Sequence, residues 1–439
     1  MRWVQRVLRR PEPLGARGTL DELTWLGRFG LTVAVTLALA GCAGPRSTAP
    51  RPGDDAGASA IRVMLAANLP AADIGATGSW VLLDDQRRLL ARATGAEQWR
   101  IERDGGRVRA TKGGMRTGWI NGVIYAVPAA DAFVVFSARR FRGEVAFRGG
   151  PQGMLVFNRV RIDDYLGGVV PLEIGGRTSS EAAAVQAQAV TARSYAYVHL
   201  NAEDPRGFDV TATVADQVYG GVEAETPVSN RAIESTRGLV LKYAGRVVNA
   251  PYSSVCGGET ATQGEVWRIA DEPYLKRVSD KIPGTDRYYC DIAPRFRWTR
   301  TFDEVELVNA VSKYLSAYVP VPGNNPGQPR HVAIASRTPS NRVAALTITT
   351  DRGDFTVRGN DIRSVLRSTG GEILNSTYFS IDSSYERDGH LTKLILRGGG
   401  NGHGVGMCQW GAIGRARAGQ DFRAILATYY PGTTVSSLR

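Results

Sequence analysis

The stretch that most limits what this chain can fold into runs from Asp164 to Leu200, DYLGGVVPLEIGGRTSSEAAAVQAQAVTARSYAYVHL. Its second half is rich in alanine, which forms helix readily and adds little bulk. A helix from Glu181 to about Leu200 is expected, thin enough for other backbone to approach closely. Thr178 with Glu181 three residues on has the spacing of a capping box at its start. Gln188 and Arg193 interrupt the otherwise apolar pattern. Upstream, Tyr165-Leu166 and Val169-Val170 read as a buried strand cut by Pro171, which leaves Glu173 in a connector containing Gly175 and Gly176. A carboxylate at such a corner, beside polar side chains on a thin helix, suits acid/base chemistry. The same pattern also describes a surface glutamate in a loop.

At 439 residues, 43% hydrophobic and 22% charged, the chain has the length and composition for two or three globular domains. Near the N-terminus, Arg28 precedes an apolar segment, Phe29 to Ala40, too short for a spanning helix and of the length of a signal-peptide core. It ends in Leu39-Ala40-Gly41-Cys42, small residues before a cysteine as in a bacterial lipobox. Residues 1–42 are therefore expected to form a lipoprotein-type signal, with Cys42 lipidated and the protein exported to the cell envelope. No later apolar run reaches eighteen residues. Residues 43–60, mixed in Pro, Gly, Ser, Ala and Asp, read as a flexible tether.

The net charge is +12, and six arginines and three acids lie before Cys42, so about nine positive charges remain beyond it. Such a surface favours anionic partners. Export makes a cell-wall polyanion, the muramic acid carboxylates of glycan strands, a better candidate than nucleic acid. Cys256 and Cys290, both in loop-like sequence, are expected to pair as a disulfide in an oxidising compartment.

Short β-type runs alternate with glycine and charged turns between residues 61 and 150, which reads as a small all-β domain. Residues 151–439 follow as a larger mixed region. Helices are expected at 226–236, 360–367 and 421–429, and strands at 239–245, 246–254, 331–337, 343–351 and 354–359, with another from 391 that ends in the glycines of 398–402. Residues 329–390 read as an inserted β-rich subdomain beyond the turn-rich PVPGNNPGQ. The fold class is α+β with several subdomains.

DYLGGVVPLE followed by AQAVTARSYA, and GHGVGMCQWGAIGRARAGQDFRAILATYYPG from Gly402 to Gly432, together resemble the two signatures of the stage II sporulation protein D (SpoIID), or amidase enhancer, family. The motif-bearing sequence covers about two-thirds of the chain. The resemblance implies a catalytic core of α/β type and peptidoglycan lytic transglycosylase activity on peptide-stripped glycan, with Glu173 as acid/base. An alternative role is binding peptidoglycan and stimulating a cell-wall amidase. Gln188, Arg193, His403 and Gln409 match family positions as supporting or substrate-binding residues. Asp216, Gln217 and Tyr219, in VADQVYGG, match a third motif that would approach the groove, or pack as a loop on the helix. Gln186 stands where many relatives carry lysine, and Cys408 where serine is common. Some relatives bind zinc through Cys and His; no histidine lies near Cys256 or Cys290 in sequence, so a metal site is the lesser alternative to the disulfide, one that His403 and Cys408 could join only through the fold, and no cofactor is expected.

Overall fold

The computed structural model describes residues 59–438 apart from 202, 203, 205 and 388–390; the expected signal segment with Cys42 and most of the expected tether lie outside the described residues. The chain divides into two compact units. The first comprises the described residues up to Gly176 together with Ala196–Glu234, and the second Arg177–Tyr195 with Ser235 onward. No helix among the described residues is long and apolar enough to cross a membrane.

The first unit is built on two sheets. A seven-stranded sheet runs, in spatial order, Val210–Thr211, Ala60–Leu69, Met154–Arg161, Glu144–Arg148, Val123–Pro128, Trp80–Leu83 and Leu89–Ala93. A six-stranded sheet runs Arg139–Phe141, Val134–Phe136, Ala71–Ala76, Trp99–Asp104, Arg107–Lys112 and Met115–Arg116. Alternation along the strands turns Ile61, Val63 and Leu65 inward, each fully buried. Phe136 and Phe147 meet edge to face, ring centres 6.3 Å apart, and join the two sheets. The expected border at residue 150 falls inside this structure. Met154–Arg161 pairs antiparallel with both Ala60–Leu69 and Glu144–Arg148, so the sheet needs a strand from beyond the border.

Helix α1 (Ile162–Ile174) follows directly from that strand, where a buried strand was expected. An apolar run buried on nearly every side lacks the alternation that marks either element, and only the tertiary setting separates them. Asp163 and Asp164 in the first turn favour the helix, and Pro171 falls so near its end that little of the ladder is lost. Glu173 is therefore a residue of the last helical turn rather than of a connector.

In the second unit, Glu181 accepts the Thr178 amide at 3.2 Å, the expected capping-box contact, and α2 (Ala182–Val198) continues from it. The last residues of α2 belong to the first unit. So does helix α3 (Pro227–Ser235) up to Glu234, close to its expected place. Leu239–Tyr243 pairs with Arg246–Val247 and Thr434–Ser437, and Tyr252–Ser253 pairs in parallel with Met407–Cys408. Helix α4 (Gln263–Trp267) is short. Strands Arg297–Asp303, Leu391–Gly399 and Phe379–Tyr385 form one three-stranded sheet, and Pro329–Arg337, Val343–Thr350 and Gly353–Arg358 another. Helices α5 (Glu304–Tyr314) and α6 (Asp361–Val365) pack with them around one core that includes Phe302, Leu307, Leu346 and Leu396. That core extends beyond residues 329–390 on both sides. Helix α5 escaped the sequence reading although Asp303 caps it and Leu307, Ala310 and Val311 form its buried stripe. Helices α7 (Gln409–Arg417) and α8 (Phe422–Tyr429) close the chain.

Gly168 gives a test of how α1 is held. A Cβ built there would overlap the Tyr219 ring, which occupies the space beside the helix. Alanine for glycine in an open helix gains up to about 1 kcal/mol. Here Gly168→Ala is expected to cost about 1–3 kcal/mol through overpacking, read as a lowered urea midpoint. A raised midpoint would contradict the packing.

Candidate functional site

Glu173 is half-buried at the C-terminal end of α1, and its Oε1 accepts the Val218 amide at 2.7 Å. The loop that carries Val218 is tied down on every side. Asp216 Oδ2 accepts both the amide and the hydroxyl of Thr211, each at 2.8 Å, closing the turn on itself. Gln217 is fully buried, and its Oε1 accepts the Tyr165 hydroxyl at 3.2 Å. Tyr219 is buried with its ring 5.0 Å from that of Tyr165, and the Gly220 amide donates to the Gly168 carbonyl at 3.0 Å. Gln217 and Tyr219 thus face α1, so the loop packs on a helix. The Val218 contact to Glu173 comes from a backbone amide, which no side-chain pattern could have marked.

The other expected residues belong to the second unit. Eight consecutive residues of α2, Ala187 to Ser194, are buried. Gln409 Nε2, at the start of α7, donates to Gln188 Oε1 at 3.2 Å, while Gln188 Nε2 is buried without a hydrogen-bond partner. Arg193 is fully buried, and its Nη1 donates to the Leu239 carbonyl at 3.0 Å. Its guanidinium ties α2 to the strand Leu239–Tyr243. Gln186 donates to Ser235 Oγ at 2.9 Å on the outer side of the helix.

His403 has both ring nitrogens engaged by backbone. Nε2 lies 2.7 Å from the Tyr252 carbonyl and Nδ1 accepts the Val405 amide at 3.1 Å, which assigns the neutral Nε2–H tautomer. Burial, with the nearby cations Arg363 and Arg342 adding to it, lowers its pKa to about 3, against the pull of the Tyr252 carbonyl. The Trp267 ring lies 5.1 Å away. A neutral imidazole with both nitrogens occupied is a strut rather than a proton carrier. Cys408 is buried as well, and burial pushes its thiol well above the ordinary range.

Cys256 and Cys290 stand as free thiols with Sγ atoms 3.5 Å apart, where a disulfide was expected. A bond would need about 2.05 Å. The fold adds Cys408 and Asp280 to them, and the four donor atoms lie within 4.8 Å of one another. Asp280 had no signal in sequence, since its nearest cysteine is ten residues away.

The second unit also holds a groove of about 580 Å³ that the sequence did not foreshadow. Arg297, Arg337 and Arg397 line it with Trp298 and Tyr378, and the Trp298 indole lies against Gly398, where any side chain would overlap it. Glycine in the return strand therefore clears space for an aromatic wall rather than for a ligand directly. Arginines beside half-buried aromatic rings suit an anionic sugar polymer.

A family model described as stage II sporulation protein matches residues 151–243, and one described as a domain of unknown function (DUF8618) matches residues 282–406. The chain is 33% identical over 296 residues to an uncharacterized protein of Brachyspira hyodysenteriae, covering 67% of this chain and 72% of that one. It is 30% identical over 293 residues to stage II sporulation protein D of Bacillus subtilis, covering 63% and 75%. It is also 30% identical over 308 residues to the amidase enhancer of Bacillus subtilis, covering 62% of this chain but only 40% of that protein.

The pKa of His403 makes a pH test. An unfolded histidine takes up its proton near 6.5, and the folded one near 3. Between those values the unfolded chain binds the extra proton, so stability present above about pH 6.5 is lost as the pH falls toward 3. His403→Gln is expected to flatten the fall in denaturation midpoint between pH 6.5 and 4. Parallel curves for the two proteins would remove His403 from the acid response.

Proposed function

Because the chain belongs to the stage II sporulation protein D family, we propose that it is an exported cell-wall enzyme that cuts peptidoglycan glycan strands as a lytic transglycosylase, with Glu173 as its acid/base. The observation that carries this reading is the placement of Glu173: a half-buried carboxyl with one oxygen fixed by the Val218 amide, on a loop itself held by Asp216, Gln217 and Tyr219. A catalytic acid has to be oriented before substrate arrives, and this loop supplies the orientation.

In the proposed reaction the carboxylic acid protonates the departing glycosidic oxygen as the bond to the muramic acid C1 breaks. The resulting carboxylate then takes the proton of the muramic C6 hydroxyl as that oxygen bonds to C1. The products are a free sugar hydroxyl on one strand and a 1,6-anhydro end on the other, with no water consumed. One carboxyl serves both steps, in contrast to the two of ordinary glycoside hydrolases. Gln188, Arg193, His403 and Gln409 support the scaffold in this reading, because each is engaged with protein groups of its own unit.

A second reading rests on the likeness to the amidase enhancer: the chain binds peptidoglycan and stimulates a cell-wall amidase without cutting glycan itself. Incubation with peptide-free glycan strands, followed by mass analysis of strand ends, separates the two. The enzyme reading expects anhydromuramyl ends that fall at least about 100-fold in Glu173→Gln while its melting temperature is kept. Equal yields from both proteins would exclude Glu173. Absence of such ends with the native chain, together with faster amidase turnover, would establish the second reading.

Both readings require glycan binding, and the arginine-lined groove is the surface proposed for it. Arg397 is largely exposed and pairs with the comparably exposed Asp382 at 3.2 Å. Arg397→Glu is expected to weaken co-sedimentation with insoluble peptidoglycan about three- to tenfold, and more at low than at high salt. Unchanged binding at low salt would place the glycan elsewhere.

A further inference from the structure

Four side chains from distant parts of the second unit, Cys256, Asp280, Cys290 and Cys408, converge in its interior, all buried, with donor atoms within 4.8 Å of one another. From this geometry we infer that they form a closed structural site for one zinc-class divalent ion.

The donor set is the first argument. Three sulfurs and one carboxylate oxygen make a complete tetrahedral complement, and sulfur selects zinc over magnesium or calcium. Thiolates bound tetrahedrally at 2.3 Å lie roughly 3.8 Å apart. Cys256 Sγ stands 3.5 Å from Cys290 Sγ and 3.5 Å from Asp280 Oδ2, near that spacing.

The surroundings of the donors are the second. Asp280 Oδ1 is taken by the Tyr429 hydroxyl at 2.6 Å and by Arg415 at 3.1 Å, which turns Oδ2 toward the cysteines. Cys408 Sγ caps α7 and accepts two amides, from Cys256 at 3.2 Å and Gly411 at 3.3 Å. Two amides and the start of a helix aimed at one sulfur fix its position, as outer-shell hydrogen bonds do for the ligands of a metal site.

The third argument is what the site holds together. Residues 268–296 contain neither helix nor strand yet supply Asp280 and Cys290. A stretch of that length in a compact unit needs some other source of order. A metal tying it to Cys256 and to the start of α7 provides one. With all four positions taken by protein and buried, no coordination site is left for substrate. The inference therefore stands apart from the glycan reading.

The test uses the full chain, reduced and supplied with Zn²⁺, then with Co²⁺ in its place. One zinc per chain by elemental analysis is expected, with a sulfur-to-cobalt charge-transfer band in the Co²⁺ form. Asp280→Asn keeps all three sulfurs and is expected to bind Co²⁺ at least about tenfold more weakly. Cys290→Ser is expected to reduce the band per bound cobalt, and if that variant fails to fold, Asp280→Asn and the native chain carry the test. Neither bound zinc nor a cobalt band in the native chain would overturn the inference. So would an intact mass showing a Cys256–Cys290 disulfide in protein isolated from the envelope.

Discussion

Two turns of α2 lie wholly out of water, and the four polar side chains among them have to be satisfied inside the protein. Ser194 Oγ donates to the Val190 carbonyl at 2.7 Å and accepts the Leu241 amide at 2.9 Å. Arg193 reaches the Leu239 carbonyl, Gln188 meets Gln409, and Thr191 lies 4.0 Å from the Met407 sulfur. The partners fall in two segments, 239–241 and 407–409, more than 160 residues apart in sequence. Alanine at 184, 187, 189 and 192 lets those backbones come close enough for the bonds to form. A larger residue there would separate the strand from the helix and strand the buried polar groups together.

The same requirement explains why several residues of the family motifs are structural. Gln217, Tyr219 and His403 look like reactive groups in a sequence, being polar or aromatic among glycines. In the fold each fills its hydrogen-bonding capacity or its packing space with protein. Their contribution to chemistry runs through position: Gln217 and Tyr219 hold the loop whose Val218 amide fixes Glu173. Glu173 is half-buried with one carboxyl oxygen fixed by the Val218 amide, and that environment carries the functional reading.

The second unit has two kinds of order. From Trp298 to Gly399, sheets and helices share a conventional apolar core. Before it, residues 268–296 have almost no regular structure and converge on buried sulfur and carboxylate. Arg415 is central to that convergence, ion-paired with Asp280 and stacked 4.3 Å over Tyr289. A buried carboxylate costs several kcal/mol unless it is paired, so Arg415 and Tyr429 are what allow Asp280 to sit among the cysteines at all.

Much was legible in the sequence where the determinants are local. The Thr178–Glu181 cap, the alanine helix, the meander at 329–358 and the closing helix each follow from residues within a few positions of one another, and each appears nearly where periodicity and capping put it. The family was legible for a similar reason, because its motifs are contiguous. Tertiary structure decided the rest. The run from Tyr165 to Val170 could not be told from a strand in sequence, because burial on all sides erases the period that distinguishes the two. Asp280 and Cys408 joined Cys256 and Cys290 only through folding, since contacts spanning up to 152 residues leave no spacing to read. The Val218 group that fixes one oxygen of Glu173 is an amide, present at every residue but proline, so only the fold could select it.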